Sequence, residues 1–334
     1  RGAATSSNII HVSLKSKSSS FEIDRSSVVV EGVAVCDVEH GYDGNLYLAD
    51  YGGGWSVNKN GTIQVMRPTD PKMQAIGKET ALAFKKGFSS RSLPELESLL
   101  SHDDQRVRLA AQHAIVEKGE PAIELLSGVL RSDDNKNHRK LHAVWAMGQL
   151  FGKGHESVAS DLLVCLSAGE VEIRANAART CGDIELASAK EPLLSLLNDS
   201  SSRVTTLAAI ALGRICSVGD QETVEALFQC GEKNAGSSFE VTLRHSLLSA
   251  LSRLATTEST LRYAKVDSEE QRMLALLICR RLGHPHIDIF LDDESENIRN
   301  EAVSAIYDTK VLDSVTGQKL ISLNVGDFPY HQQV

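Results

Sequence analysis

Aromatic residues are scarce in this sequence of 334 residues: two Trp, six Tyr and eight Phe, 5% in all. A core built on large rings is therefore excluded. Frequent Leu and Ala favour helix packed on helix through small and medium side chains. Positive charge is also in deficit, with 35 Lys and Arg against 44 Asp and Glu and a net charge of -9. That balance argues against a general nucleic-acid binder, which carries a basic surface. No stretch of 18 apolar residues occurs, so no transmembrane helix is expected. No signal peptide is visible, and the chain begins at Arg1 rather than Met, as expected of a processed or excised piece.

The six cysteines, Cys36, Cys165, Cys181, Cys216, Cys230 and Cys279, form neither CxxC nor CxxCH. A disulfide framework and c-type haem attachment are thus not indicated. Most lie in apolar helical contexts and read as buried free thiols. They suit a reducing compartment, or an exported protein that keeps its thiols buried.

Residues 1–70 read as β. NIIHVSLKS (9–17), SSFEID (19–24) and SSVVVEGVAVCDVE (26–39) are rich in β-branched residues. NLYLADY (45–51) and TIQVMRP (62–68) alternate, with Leu46, Leu48, Ile63 and Val65 as candidates for a covered face. Asp43-Gly44 and Asn60-Gly61 suit hairpin turns, because glycine accepts positive φ. Pro68 and Pro71 are expected to stop the strands and open a linker. Four or five strands result, with no obvious second sheet, and their edges need covering.

From about residue 75 the period becomes helical. LPELESLLSHDDQRVRLAAQHAIVEKG (93–119) is the clearest of a series of short helix, turn and longer helix. Units follow at 121–152, 155–184, 189–219 and 221–255, then two degenerate ones whose second helices lie in 268–283 and 286–308. An amphipathic pair cannot hide its apolar face alone, so the pairs must stack. One pattern recurs at equivalent positions: an acidic or hydroxyl residue, then Arg, then small residues. It runs Asp104 to Arg106 and Arg108, Glu170 to Arg174, Ser201 to Arg203, Glu269 to Arg272, and Glu294 to Arg299. The first residue is expected to cap the second helix. The Arg is expected to reach the turn of a neighbouring unit, and the small residues let helices approach. The fold expected is mainly α: an elongated right-handed α-solenoid over 93–310, with a β-region at 1–70, a linker and first helix at 71–92, and a cap and tail at 311–334.

These units resemble HEAT repeats, the PBS-lyase-like variety in particular, over about residues 90–308. Members of that class are mostly scaffolds that grip a partner. The preceding segment resembles a blade of the six-bladed quinoprotein sugar dehydrogenase propeller: Asp43, Gly44, Tyr47, Asp50, Gly61 and Ile63 fall on the motif, and Tyr51 stands where the family has Trp. A blade joined to HEAT repeats resembles the putative membrane-bound dehydrogenases of Planctomycetes and related bacteria. The resemblance implies a periplasmic or extracellular parent using PQQ and Ca²⁺. The catalytic residues of such a propeller would lie in earlier blades, so none is carried onto this chain.

Each candidate for chemistry has a plainer explanation. Asp43, Asn45 and Asp50 lack calcium-loop spacing. Asp43 reads as a turn cap, and Asp50 as the acceptor that holds the glycine loop. Gly52-Gly53-Gly54 is no phosphate loop, and Trp55 packs on the sheet or lines a pocket. His138 and His142 share a helix face but make half a zinc site, and His284-Pro285-His286 is a turn. Cys165, Cys181 and Cys216 read as core, and Cys181 with His155 is no dyad. Asp103-Asp104, Asp133-Asp134 and Asp292-Asp293 read as caps rather than paired acids of a glycosidase. Arg139, Lys140, Arg174, Arg179, Arg203, Arg214, Arg244 and Arg253 could line the second helices as a partly basic ridge. No catalytic, cofactor-binding or metal residue is assigned. The expected role is a non-catalytic protein-binding scaffold, with a protein partner on the solenoid face or a chain completing the β-region. The alternative is the tail of a sugar or alcohol dehydrogenase.

Overall fold

A computed structural model describes residues 7–17, 20–33, 35–50, 61–132, 137–236, 240–310 and 318–320. The glycine run and Trp55, the pair Asp133-Asp134 and most of the C-terminal stretch lie outside the described residues. The chain divides into two compact units, Arg1–Asp161 and Leu162–Val334.

The first unit opens with two sheets, where the sequence pattern suggested one. β1 (Ser7–Lys17) and β2 (Ser20–Val33) form an antiparallel ribbon. β3 (Val35–His40), β4 (Leu46–Asp50) and β5 (Thr62–Met66) form a separate antiparallel meander. The sequence divides the ribbon's return strand at Ser26-Ser27. The structure carries it through, because Ser26 and Ser27 stay paired with Val12 and His11. The break falls instead beyond Gly32, whose φ is +70°. In the meander Leu48 is buried. Ile63 is not its partner on the covered face: it pairs with Ala49, so it points the other way and is 67% exposed.

The meander is fastened to the first helices. The Asp43-Gly44 turn lies on Gly77 of α1 (Pro71–Lys86), where a Cβ on Gly77 would fall 3.0 Å from the Gly44 Cα. Tyr42 stacks on Phe84 with ring centroids 3.9 Å apart. Arg106, from α3 (Gln105–Glu117), donates Nη1 to the His40 carbonyl at 2.5 Å and Nη2 to the Gly41 carbonyl at 3.1 Å. Its guanidinium also lies over the Tyr42 ring. Pro71 does not belong to a linker. It opens α1, where the missing N–H costs nothing, and Asp70 caps the helix by accepting from the Lys72 N–H.

The helices then pair. α2 (Leu93–Leu99) packs on α3, and α4 (Pro121–Arg131) on α5 (Asn137–Gly152). Asp104 is the N-cap of α3 and accepts from the Arg106 N–H at 2.8 Å. Leu96, Leu100, Val107, Ala111, Ile115, Leu126, Val144 and Met147 are buried between these helices.

The second unit opens within α6 (Ala159–Cys165) and continues through α7 (Val171–Asp183), α8 (Lys190–Leu196), α9 (Ser202–Ile215), α10 (Gln221–Lys233), α11 (Glu240–Leu254), α12 (Thr257–Tyr263), α13 (Glu269–Leu282) and α14 (Glu296–Thr309). A 3₁₀ segment over Pro285–Asp292 replaces the α-helix expected before α14. The second helices α7, α9 and α11 lie directly on one another. Gly182 faces Ala211, and Gly213 faces Ala250; a Cβ on either glycine would come 2.8 Å or less from the facing alanine's Cα. Both glycines lie in the last turn of their helices, where glycine costs at most the roughly 1 kcal/mol against alanine of a helix interior. Here that cost is offset by backbone-to-backbone packing that no side chain permits.

Several second helices are followed by a residue with positive φ. Glycine holds that place after α3, α5 and α13 (Gly119, Gly154 and Gly283), but Glu185 holds it after α7 with φ 52° and Lys310 after α14 with φ 54°. An L side chain in the left-handed region costs about 1–2 kcal/mol. E185G is therefore expected to raise stability by about 1 kcal/mol after the entropy of the added glycine is deducted. Urea denaturation checks this; an unchanged or lowered midpoint would contradict it.

Candidate protein-interaction surface

The recurrent arginine is a brace between units. Arg108, Arg174, Arg272 and Arg299 each donate Nη1 to the carbonyls six and five residues earlier: His102 and Asp103, Ala168 and Gly169, Val266 and Asp267, Asp293 and Glu294. Each guanidinium thus closes the turn before its own helix. The other edge reaches onward. Arg174 Nε and Nη2 meet Asp199 at 2.8 and 3.0 Å, and Arg272 meets Asp293 through the same atoms at 2.8 and 3.2 Å. The planar fork allows both jobs at once, which an ammonium group cannot match. Asp199 also caps its own turn by accepting from the Ser201 N–H. The Arg174 contact holds the Asp199 carboxyl below its usual range, against the opposing effect of burial.

In the first unit a buried histidine stands against Arg108. Arg108 Nε donates to His142 Nε2 at 3.3 Å, His142 Nδ1–H donates to Gln112 Oε1 at 2.7 Å, and Gln112 Nε2 donates to Gln149 Oε1 at 3.1 Å. This network joins α3 to α5 and fixes His142 as the neutral Nδ1–H tautomer. Burial, then the nearby Arg108, pushes the His142 pKa down to about 4. The ring also meets the Trp145 ring edge-on, with centroids 5.0 Å apart. His138 is exposed, so of the two histidines on this helix one packs in the interior and the other lies on the surface. Among the described residues no group of three or more His, Cys, Asp or Glu could hold a metal.

The basic residues of the second helices do not stand as a uniform ridge. Arg139 pairs with Glu97, Arg174 with Asp199, Arg179 and Arg214 with Asp183, Arg203 with Glu172, and Arg244 with Glu270. Lys140 is buried. On α7 and α9 the pairs remain partly exposed, so the second-helix face there alternates in sign instead of attracting polyanions. The surface is mixed because acids from other repeats meet these arginines; only Arg179–Asp183 lies one turn apart on a single helix.

The remaining candidates resolve into structure. Asp43 Oδ1 accepts from the Asn45 N–H, while its Oδ2 accepts from Asn45 Nδ2 and Tyr47 OH. Asp50 Oδ2 accepts from Gln64 Nε2 on the neighbouring strand at 2.6 Å, and the glycine loop it was expected to hold lies outside the described residues. His284 and His286 form a turn in which His284 Nδ1 accepts from the His286 N–H. Asp292 pairs with Lys319. Cys165 and Cys181 are buried, and Cys216 is half-buried. Burial pushes the Cys181 thiol up to about 12, which leaves it a poor nucleophile. Among the described residues no helix is long and apolar enough to cross a membrane.

A family model for HEAT repeats matches residues 159–237, which contain α7 to α10. The chain is a mainly helical HEAT-type solenoid with small N-terminal antiparallel sheets. Three solved structures are similar to it. The complex of CpcE and CpcF of phycocyanin lyase from Nostoc sp. PCC7120 is 14% identical, over 70% of this chain and 93% of that one, with a TM-score of 0.37. An archaeal HEAT-like repeat protein from Thermococcus onnurineus NA1 is 14% identical, over 69% and 86%, with a TM-score of 0.31. A structure of Kap95p binding with RanGDP gives 12% identity, over 72% and 39%, with a TM-score of 0.43. No curated protein matches the sequence.

Proposed function

We propose that this chain is a non-catalytic scaffold that binds a protein partner on the second-helix face of α7, α9 and α11. The observation that carries this reading is the direct stacking of those helices at Gly182 and Gly213. Closely apposed backbones hold the exposed side chains at fixed spacing, so little side-chain ordering is left for a partner to impose. The face carries Glu172–Arg203 and Asp183 with Arg179 and Arg214, each at least a third exposed on its side chain. Alternating charge of this kind selects a partner of complementary pattern. It gives no advantage to nucleic acid, whose phosphates would meet an acid beside each arginine.

The test is cross-linking mass spectrometry on complexes isolated with the full chain, followed by the double variant D183K/R203E. Cross-links are expected on α7, α9 and α11, and the variant is expected to lose the partner with its unfolding midpoint little changed. Partners that cross-link elsewhere and survive the variant would contradict the assignment, as would unaided turnover of a substrate.

A second reading keeps the propeller resemblance. Asp43, Gly44, Tyr47, Asp50, Gly61 and Ile63 fall on the successive turns and strands of one antiparallel meander. On this reading the parent is a periplasmic or extracellular dehydrogenase of sugars or alcohols using PQQ and Ca²⁺, and no residue of this chain holds either. Intact-mass and terminal sequencing against the encoded precursor tests it. Propeller blades upstream are required.

A further inference from the structure

The ribbon of β1 and β2 has two unlike faces. Residues directly opposite one another share a face, and β1 alternates regularly. One face therefore carries Ile10, Val12 and Leu14 of β1 with Val28, Ile23 and Phe21 of β2, interrupted by Ser26 opposite Val12 and Ser16 opposite Phe21. The other carries His11, Ser13, Lys15 and Lys17 opposite Ser27, Arg25, Glu22 and Ser20. On that side Glu22 bridges Lys15 at 3.2 Å and Lys17 at 2.8 Å.

The apolar face is assembled by an irregularity. Val28 is an even-numbered position, whereas Ile23 and Phe21 are odd, so strict alternation would put them on opposite sides. The register shifts between Ser13 and Leu14, leaving Asp24 as the extra residue on β2. That bulge brings Phe21 and Ile23 round to join Val28. Register is set this firmly where one face is to be covered. Yet the six apolar residues are 43–63% exposed. A two-stranded ribbon is marginal in water without a second layer.

We propose that this face packs on the same face of a second copy of the chain, forming a four-stranded sandwich about a two-fold axis. The area is sufficient: six large side chains, each about half exposed, present on the order of 500 Å². Two copies together bury about 1,000 Å², the size at which a specific interface begins. A patch of about this extent matches the largest that a monomer ordinarily shows, and such patches often serve binding. The occupant must be a second ribbon because the face is uncharged and two strands wide. It offers no charge with which to select a foreign partner, and its own charges are paired on the far side. A copy of itself supplies an apolar sheet of the same width, and an isologous contact satisfies both surfaces together. This assignment is separate from the helical surface above, and either stands if the other fails.

Sedimentation velocity on the full chain at micromolar concentration is the test. The species expected has twice the 36.2 kDa chain mass. The variant L14K/I23K, charged at the centre of the face, is expected to halve that mass while the helical circular dichroism persists. S27D, at an exposed position on the polar face, is expected to remain dimeric. Because L14K/I23K could also melt the ribbon, V12C in a C36S background provides a second measure. Mild oxidation should link two chains through Cys at that position only where the apolar faces meet. A monomeric wild type would overturn the proposal. So would a dimer that survives L14K/I23K, or a V12C variant that does not cross-link.

Discussion

Replacing Arg272 with methionine is expected to lower stability by about 3–5 kcal/mol, the usual cost of removing one partner of a buried ion pair. The side chains of Arg272 and Asp293 are only 7% and 5% exposed. The arginine makes two hydrogen bonds to Asp293 at 2.8 and 3.2 Å and one each to the carbonyls of Val266 and Asp267 at 2.9 and 2.8 Å, and its Nη2 also pairs with Glu294 at 3.0 Å. Methionine fills the space but leaves a buried carboxylate and two carbonyls without this donor. R272K should recover little, because one ammonium cannot span both directions. The double variant R272M/D293L should recover more, since it removes the stranded charge together with its partner. In a repeat array the damage is local before it is global. Hydrogen exchange should therefore quicken first in α13 and α14. A midpoint within about 0.5 kcal/mol of the parent, the ordinary range for a surface change, would show that the brace carries no such energy.

Acid should loosen the seam between α3 and α5 before it affects the carboxylate braces. His142 is buried and bonded as a neutral ring. Its pKa is pushed down to about 4, chiefly by burial, then by Arg108, His138 and His113. In the unfolded chain the ring takes its ordinary value of 6.5. Between those values the unfolded state binds the proton and the folded state does not, so stability rises with pH. The contribution is complete above pH 6.5 and is lost as pH falls toward 4. Across that window it amounts to about 3 kcal/mol. H142Q, which keeps polar atoms near Gln112 and Arg108, should flatten this part of the stability profile. Trp145 supplies a local reading through its edge contact with the ring, provided Trp55 is first replaced by Phe. A His142 titration by NMR near 6.5 in the folded protein would refute the assignment.

Both predictions turn on residues whose importance is half visible in the sequence. The recurrence of arginine after a capping residue is plain at Arg174 and Arg272, and so is its role of reaching a neighbouring turn. Which acid each one meets is not, because Asp199 and Asp293 lie 25 and 21 residues further along. Asp104 is legible as a cap, being a short acceptor just before an apolar period. Before α13 the cap is Ser268, one residue earlier than the expected Glu269, because a hydroxyl fits the tight N-cap geometry. His142 reads as one of a helical pair with His138, yet burial separates them, and only the partner helix supplies Gln112 and Arg108. Gly182 and Gly213 left a signal that could have been used: glycines inside helices at one repeat spacing need a packing reason.

By itself the sequence determined the repeated helix pair, the Asp104 cap and the position of the pairs after a β-region. Those features follow from local rules: a 3.6-residue apolar period and a short polar acceptor just before it. Glu170 and Ser201 stand at the N-cap positions of α7 and α9 without a side-chain cap bond, and before α14 the N-cap is Ser295 rather than Glu294. Tertiary structure alone decided the rest: the division of the strands into two sheets, the bulge that gathers Phe21 and Ile23 onto one face, the pairing of each arginine, and the neutrality of His142. Those outcomes depend on which distant residues meet at contact range. Cross-strand register and packing between repeats are set by energies summed over many neighbours, and no short window of sequence contains them.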